Sequence, residues 1–253
     1  STSCAIRSDG TLFAWGDPFN PAINVPAGTF TDIDGGSGIG FYIARRTNGT
    51  LAGWGINNSG QASPPSGTFI KASAGEQHAL GLRADGSLAQ WGAPWAGSPP
   101  PGNDFIDVAV GRQFNLALRS NGTIEAWGSN TFGELNVPAG TYTAVAAMLA
   151  GGVAIRSDGT VAVWGQAPNL GPLEGQVVSK IAASDRNVLA LRPDGTLVFP
   201  DSQLPPPAGQ YMAIGAGQGH FLAVVPAPGA VVTIASFVLV STRRPLRTHR
   251  SSK

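Results

Sequence analysis

Ala154-Ile-Arg-Ser-Asp-Gly-Thr-Val-Ala-Val-Trp-Gly165 reads as strand, tight turn, strand. Ala154 to Arg156 run into Asp158-Gly159, and Gly159 can take the positive φ that a hairpin turn needs. Thr160 to Trp164 then bring β-branched and aromatic residues suited to a pleated surface. The stretch decides the fold because it recurs.

The turn pair appears as Asp9-Gly10, Asn48-Gly49, Asp85-Gly86, Asn121-Gly122, Asp158-Gly159 and Asp194-Gly195. Successive glycines lie 39, 37, 36, 37 and 36 residues apart. Five residues after the glycine comes Trp15, Trp54, Trp91, Trp127 or Trp164, each followed by Gly; the sixth copy places Phe199-Pro200 there instead. Two residues before the turn Asp or Asn sits Arg7, Arg46, Arg83, Arg119, Arg156 or Arg192. Such a unit cannot bury its apolar face alone, so a period of this length marks a stacked or ring-like repeat. Short strands packed into about 40 residues are what a propeller blade requires.

A whole repeat is laid out at 69–101. Phe69–Ala74 is a first strand, Gly75–His78 a turn, Ala79–Arg83 a second strand and Ser87–Trp91 a third. Gly92–Pro101 is a proline-bearing connection with room for a short edge strand. First strands recur from Phe30, Phe105, Tyr142, Val178 and Tyr211, and His220–Val225 reads as a further second strand. The spacing therefore predicts an all-β propeller over 1–225, of seven blades with the first and last incomplete. Six blades result instead if the strand after Tyr211 closes onto the first hairpin.

Composition agrees with an all-β domain. Gly (35) and Pro (20) fall at fixed places in the repeat and so read as turn punctuation. Charged residues make up 12%, well below the roughly 25% of average domains. Five of the 16 basic residues (Arg243, Arg244, Arg247, Arg250 and Lys253) crowd the end, leaving 11 against 15 acids in the body. A mildly acidic body has no electrostatic footprint for nucleic acid. A single cysteine, Cys4, excludes an internal disulfide and a cysteine metal cluster, and reads as a small buried strand residue. No leader-like segment opens the sequence. The stretch 226–253 is read apart: an apolar run from Ala230 to Val240, then the basic end. As a helix, eleven residues span about 17 Å, too short for a bilayer core, so a terminal strand competes with a stopped membrane segment.

Gly75-Glu-Gln-His-Ala-Leu-Gly-Leu-Arg-Ala-Asp-Gly-Ser-Leu-Ala-Gln-Trp-Gly92 resembles the regulator of chromosome condensation repeat. The short period and the Trp-Gly-x-Asn…Gly-Gln linker at Trp54–Gln61 are similar to its bacterial branch, which includes the type II β-lactamase inhibitory protein. That resemblance spans about residues 4–225 and implies a seven-bladed propeller without implying one activity. Val225-Pro-Ala-Pro228, the apolar run and Arg243-Arg244 resemble a PEP-CTERM sorting signal, which implies an exported or surface-associated bacterial protein whose tail alone meets the membrane. The tail departs from that motif in having Ala227 where an acid is preferred.

Catalytic arrangements are scarce. His78 and His220 occupy one repeat position, where the other copies have Phe41, Phe114, Gly151 and Asn187, so that position reads as loop structure; His249 lies in the basic tail. No Ser, His and acid form a nucleophile arrangement. Asp32 and Asp34 share one strand face and read as a solvated pair. The turn acids bond the local backbone, the repeated arginines flank the turn or pair with a neighbouring blade, and the five tryptophans bury area between blades. No cofactor or metal is expected, and the chain is expected to be a monomer.

What remains is loop surface, where recognition concentrates. Residues that differ from their siblings are Phe19, Asn20, Asn57, Trp95 and Phe132 after Trp-Gly, and Glu76, Arg112, Phe114, Asp185 and Arg186 before the second strands. Aromatics and Arg are enriched in binding hot spots. The sequence therefore points to a non-enzymatic propeller holding a protein partner through loops at one end. The alternatives are an inhibitor of β-lactamase-like enzymes, a cell-wall or polysaccharide enzyme, and a GTPase exchange factor.

Overall fold

The computed structural model describes residues 2–17, 19–36, 40–166, 173, 175–184, 187–200, 206–217, 220–225 and 237–241, with backbone alone at 217, 220 and 237–241. These residues form seven antiparallel sheets, each a blade. Blade one is the hairpin β1 (Thr2–Ile6) and β2 (Leu12–Gly16). Blade two is β3 (Phe30–Gly35), β4 (Phe41–Arg46) and β5 (Leu51–Gly55), and blade three β6 (Phe69–Ala74), β7 (His78–Arg83) and β8 (Leu88–Gly92). Blade four is β9 (Phe105–Val110), β10 (Phe114–Arg119) and β11 (Ile124–Gly128), and blade five β12 (Tyr142–Ala147), β13 (Gly151–Arg156) and β14 (Val161–Gly165). Blade six is β15 (Lys180–Ala183), β16 (Val188–Leu191) and β17 (Leu197–Val198), and blade seven β18 (Ala213–Gly217), β19 (His220–Val224) and β20 (Phe237–Ser241). In every three-stranded blade the second strand lies in the middle.

The seven-blade reading holds, and among the described residues blade one has two strands. The last blade differs from expectation: β20 pairs along β19 from Val224↔Phe237 to His220↔Ser241, so the terminal segment supplies a third strand. The rest of 226–253, including Arg243, Arg244, Arg247, His249, Arg250 and Lys253, lies outside the described residues.

Registers repeat. His78 faces Gly92 on β8, Phe114 faces Gly128 on β11, and Gly151 faces Gly165 on β14. In blades two to five the pairing of first with second strand shifts by one residue just after the leading aromatic, at Phe30, Phe69, Phe105 and Tyr142. The extra residue of such a bulge is turned out of the ladder, which leaves Ile70 and Ile106 about half exposed at 49% and 51%. Blade six has a two-residue third strand. Pro200 follows closely, and proline cannot donate to a ladder. The connection Gly92–Pro101 forms no edge strand; Pro94–Ala96 is a turn of 3-10 helix, with Pro at its first position.

The core lies between blades. Six apolar clusters occupy the six seams from blade one–two to blade six–seven. Phe41, Ile43, Ala72, Ala74 and Ala79 fill the seam of blades two and three, for example, and Leu80, Leu82, Phe105, Val108 and Ala117 the next. Blades two to six thus each supply half of two cores, which is why the unit must repeat.

Candidate functional site

The strand order gives the propeller two unlike ends. At one end the second strand meets its Asx turn, where Asp9, Asn48, Asp85, Asn121, Asp158 and Asp194 each accept from the backbone N–H and hydroxyl two residues on. Those bonds favour the ionised carboxylate and hold Asp9, Asp85, Asp158 and Asp194 below the ordinary carboxyl value.

The repeated arginine belongs to this turn end and stays within its own blade. Arg46, Arg83 and Arg119 lie over the rings of Phe30, Phe69 and Phe105 at 4.9, 4.8 and 4.3 Å. They donate to the carbonyls of Ala27, Ser66 and Pro101 in the entering linker. The pairing with a neighbouring blade weighed from sequence is not found in these three, because the leading aromatic and its linker already sandwich the guanidinium.

The opposite, loop end gathers both sets of candidate residues. The segment after each Trp-Gly is bonded to the loop between first and second strands: Ile56 N–H to Gly40 O at 3.1 Å, and Ala93 to Gln77, Ser129 to Gln113 and Gln166 to Ala150, each at 2.8 Å. Glycine is required at the junction. Gly92 has φ +93°, and a Cβ there would stand 2.5 Å from Gln77 O.

On this end Phe19 is 94% exposed, Trp95 50% and Phe132 51%. Their loops are rigidly held. Asn20 caps the short helix Pro21–Ile23 through its Oδ1, 2.9 Å from Ala22 N. Asn57 Oδ1 accepts from Ala62 N at 2.8 Å and Asn130 Oδ1 from Leu135 N at 2.9 Å. The buried Gln61 and Glu134 accept from Ser59 N and Phe132 N. Beneath them the next blade's tryptophan donates upward: Trp54 to Ala22 O, Trp91 to Gln61 O and Trp164 to Glu134 O, at 3.0, 2.8 and 2.7 Å. Asn20 and Asn57 are therefore occupied in closing their own loops. Gln61 and Glu134, which the candidate set omitted, do the same; their signal was the matching place seven residues after Trp54 and Trp127.

Glu76 and Arg112 join neighbouring blades by an ion pair of 2.9 Å, with the Arg112 side chain 53% exposed. Arg112 N–H also reaches Leu149 O of the following blade at 3.1 Å. Phe114 is not part of this surface. It opens β10 with its ring fully buried among Ala109, Leu116 and Trp164, because the residue facing Gly128 points into the seam. Asp185 and Arg186 lie outside the described residues, as does the His220 side chain.

His78 shares the inward register of Phe114 and is buried. Its Nε2 stands 3.2 Å from Asn115 Oδ1, and Asn115 Nδ2 donates to Ala96 O at 3.2 Å, so a polar chain crosses the seam. The amide orientation fixed by Ala96 places the imidazole proton on Nε2. Burial pulls the ring's pKa down to about 4, and its Nδ1 has no hydrogen-bond partner. This neutral histidine is a core group.

Two further expectations need correction. Trp54 and Trp164 are 8% and 6% exposed, but Trp15, in the two-stranded blade, is 42% exposed and stacks on Phe13 at 5.8 Å. Asp34 does not stand on an open strand face; it is half-buried in the lining of an axial cavity, and burial raises its carboxyl above the ordinary value. Cys4 is half-buried in β1, with its thiol pushed up to about 11. Among the described residues no group of three His, Cys, Asp or Glu is placed to hold a metal ion, and no helix is long and apolar enough to cross a membrane.

The sheets, the seam cores and the repeated turn define a β-propeller. Residues 105–134 match the family described as Regulator of chromosome condensation (RCC1) repeat. No curated protein matches the chain. Solved structures share the fold. The entire ectodomain of the Physcomitrella patens receptor kinase CR4 aligns at 20% identity and TM-score 0.73, over 88% of this chain and 66% of that one. The CRINKLY WD40 ectodomain of the Arabidopsis thaliana receptor kinase ACR4 aligns at 17% and 0.78, over 96% and 94%. Yeast RCC1 (Prp20), in its structure with Kap60, aligns at 15% and 0.65, over 78% and 68%.

Proposed function

We propose that the protein is a non-enzymatic interaction propeller that binds a protein partner through its loop end. The observation that carries this reading is the display of Phe19, Trp95 and Phe132 on braced linkers at that one end, beside the Glu76–Arg112 bridge. Rigid aromatics flanked by Arg give large contact area at low entropic cost, as binding hot spots need. The turn end offers Asx-turn side chains committed to their own turns, with the half-exposed aliphatic residues Ile70, Ile106 and Met212 as its apolar surface. Yeast RCC1 in the compared structure is bound to a protein, Kap60.

A photo-crosslinking residue at position 95 is expected to capture one partner that the same residue at Thr123, on the turn end, does not. Trp95→Asp with Phe132→Asp then weakens binding of that purified partner roughly a hundredfold. Equal capture from both ends overturns the reading. Inhibition of a β-lactamase-like enzyme would use the same end, and loss of inhibition in the double variant is its test. The export reading rests on the resemblance of the terminal segment to a sorting signal and is tested by fractionating cells that express the whole gene.

A further inference from the structure

The first strands of blades two to seven converge on the propeller axis, where β3, β6, β9, β12, β15 and β18 enclose a cavity of about 240 Å³. That is below the roughly 300 Å³ at which drug-sized pockets begin. Much of its wall is apolar, built from Val108 and Val110 on β9, Val145 on β12, Met148 just beyond it, and Ile181 on β15. The polar side chains are Asp34 on β3 and Lys71 and Ser73 on β6, with Ser184 beyond β15, and backbone groups around Gly35, Gly36 and Gly111 add further polar surface.

The two charged groups differ in what already satisfies them. Lys71 is ion-paired with Asp107, and Asp107 also accepts from Val108 N and from Val145 N of the next blade. Asp34 accepts from Gly35 N at 2.9 Å and, across the seam, from Ala74 N at 3.0 Å. No Lys, Arg or His among the described residues lies within ion-pairing distance of its carboxylate, since the ion pairs there involve Asp107, Glu76, Asp104 and Glu125. A half-buried carboxylate held by amides, without an ion pair of its own and with Lys71 acting on it only from a distance, is costly, and a cation that reaches it is bound strongly. With the Ser73 hydroxyl as a further donor beside the two amides, about one of its four lone-pair sites stays open.

We propose that the axial cavity binds a small primary amine with an apolar body, its ammonium on Asp34 and its carbon skeleton against β9, β12 and β15. A carboxylic acid of the same shape is disfavoured, because Lys71 is already matched and Asp34 repels it. A divalent cation is disfavoured too, because hard cations require several oxygen ligands and one carboxylate is free. The site lies on the axis and does not depend on the protein-binding role of the loop end.

Calorimetric titration of the full chain with isopentylamine and with 4-methylpentanoate tests the assignment. Saturable binding of the amine alone is expected. Asp34→Asn weakens it roughly tenfold or more. Ala146→Leu, which fills the cavity from β12 while keeping Asp34, does the same. Thr31→Ala, an exposed change on β3, leaves it unaltered. Absence of saturable amine binding up to about 10 mM, equal binding of the acid, or unchanged affinity in a folded Asp34→Asn or Ala146→Leu variant overturns the proposal. Melting temperatures establish which variants fold, and Ala146→Leu decides alone if Asp34→Asn does not.

Discussion

The Arg46 guanidinium lies 4.9 Å from the centre of the Phe30 ring and donates to Ala27 O at 2.8 Å, tying the start of the blade's first strand to the end of its second. The same clamp recurs at Arg83–Phe69 and Arg119–Phe105. A planar, permanently charged fork can stack and donate at once; an ammonium cannot. Arg83→Lys is therefore expected to cost about 1 kcal/mol, read as a lower urea midpoint with unchanged slope. A change below a few tenths of that would show the clamp to be incidental.

The clamp also explains a glycine. Gly28 has φ +128°, and a Cβ there would run into Arg46 Nη1. Gly28→Ala meets both backbone strain and that collision, and is expected to destabilise by roughly 1–3 kcal/mol. Gly60, at φ +80° but with nothing near its would-be Cβ, meets backbone strain alone, so Gly60→Ala costs less in the same denaturation series.

Trp164 is 6% exposed with its indole N–H on Glu134 O, whereas Trp15 is 42% exposed. Trp164→Ala is expected to cost roughly 3–5 kcal/mol, and Trp15→Ala less than half as much. Equal losses would mean that the seams do not carry the stability.

Acid should loosen the fold through His78. Unfolded, the ring takes a proton near its ordinary 6.5; folded, not until about 4. Its contribution is fully present above 6.5 and is lost as pH falls towards 4, by up to about 3 kcal/mol. Asp34 works the other way, because its raised folded value favours the fold as acid protonates it. The exposed turn carboxylates titrate below this window. The difference between wild type and His78→Phe, the residue found at sibling positions 41 and 114, isolates the histidine. The variant's stability should slope less with pH between 4 and 6.5, and parallel curves would refute the assignment.

The turns, their spacing and the Trp-Gly step were readable because each rests on contacts within a few residues: Asp158 bonds Thr160, and Gly159 takes its positive φ wherever the chain goes. The exposed aromatics Phe19, Trp95 and Phe132 were readable as departures from their siblings. Phe114 belongs to β10, where its pairing with Gly128 turns it into the seam, and Asp34 faces the axis on a strand whose register the bulge after Phe30 has moved; one residue of register decides whether a side chain enters a seam or meets water.

The sequence by itself determined the blade: its strands, its Asx turn, the glycine after tryptophan and the repeat period, all set by local hydrogen bonding and backbone sterics, while the choice of seven blades over six came from the sheets. Only the tertiary structure decided that two separate groups of loop residues share one end, that Asp34 faces a cavity whose lysine, Lys71, is ion-paired with Asp107, and that Trp15 stays half in water while Trp164 does not. Those outcomes depend on what the neighbouring blade places against each side chain, and a neighbour some 37 residues away leaves no mark on the local pattern.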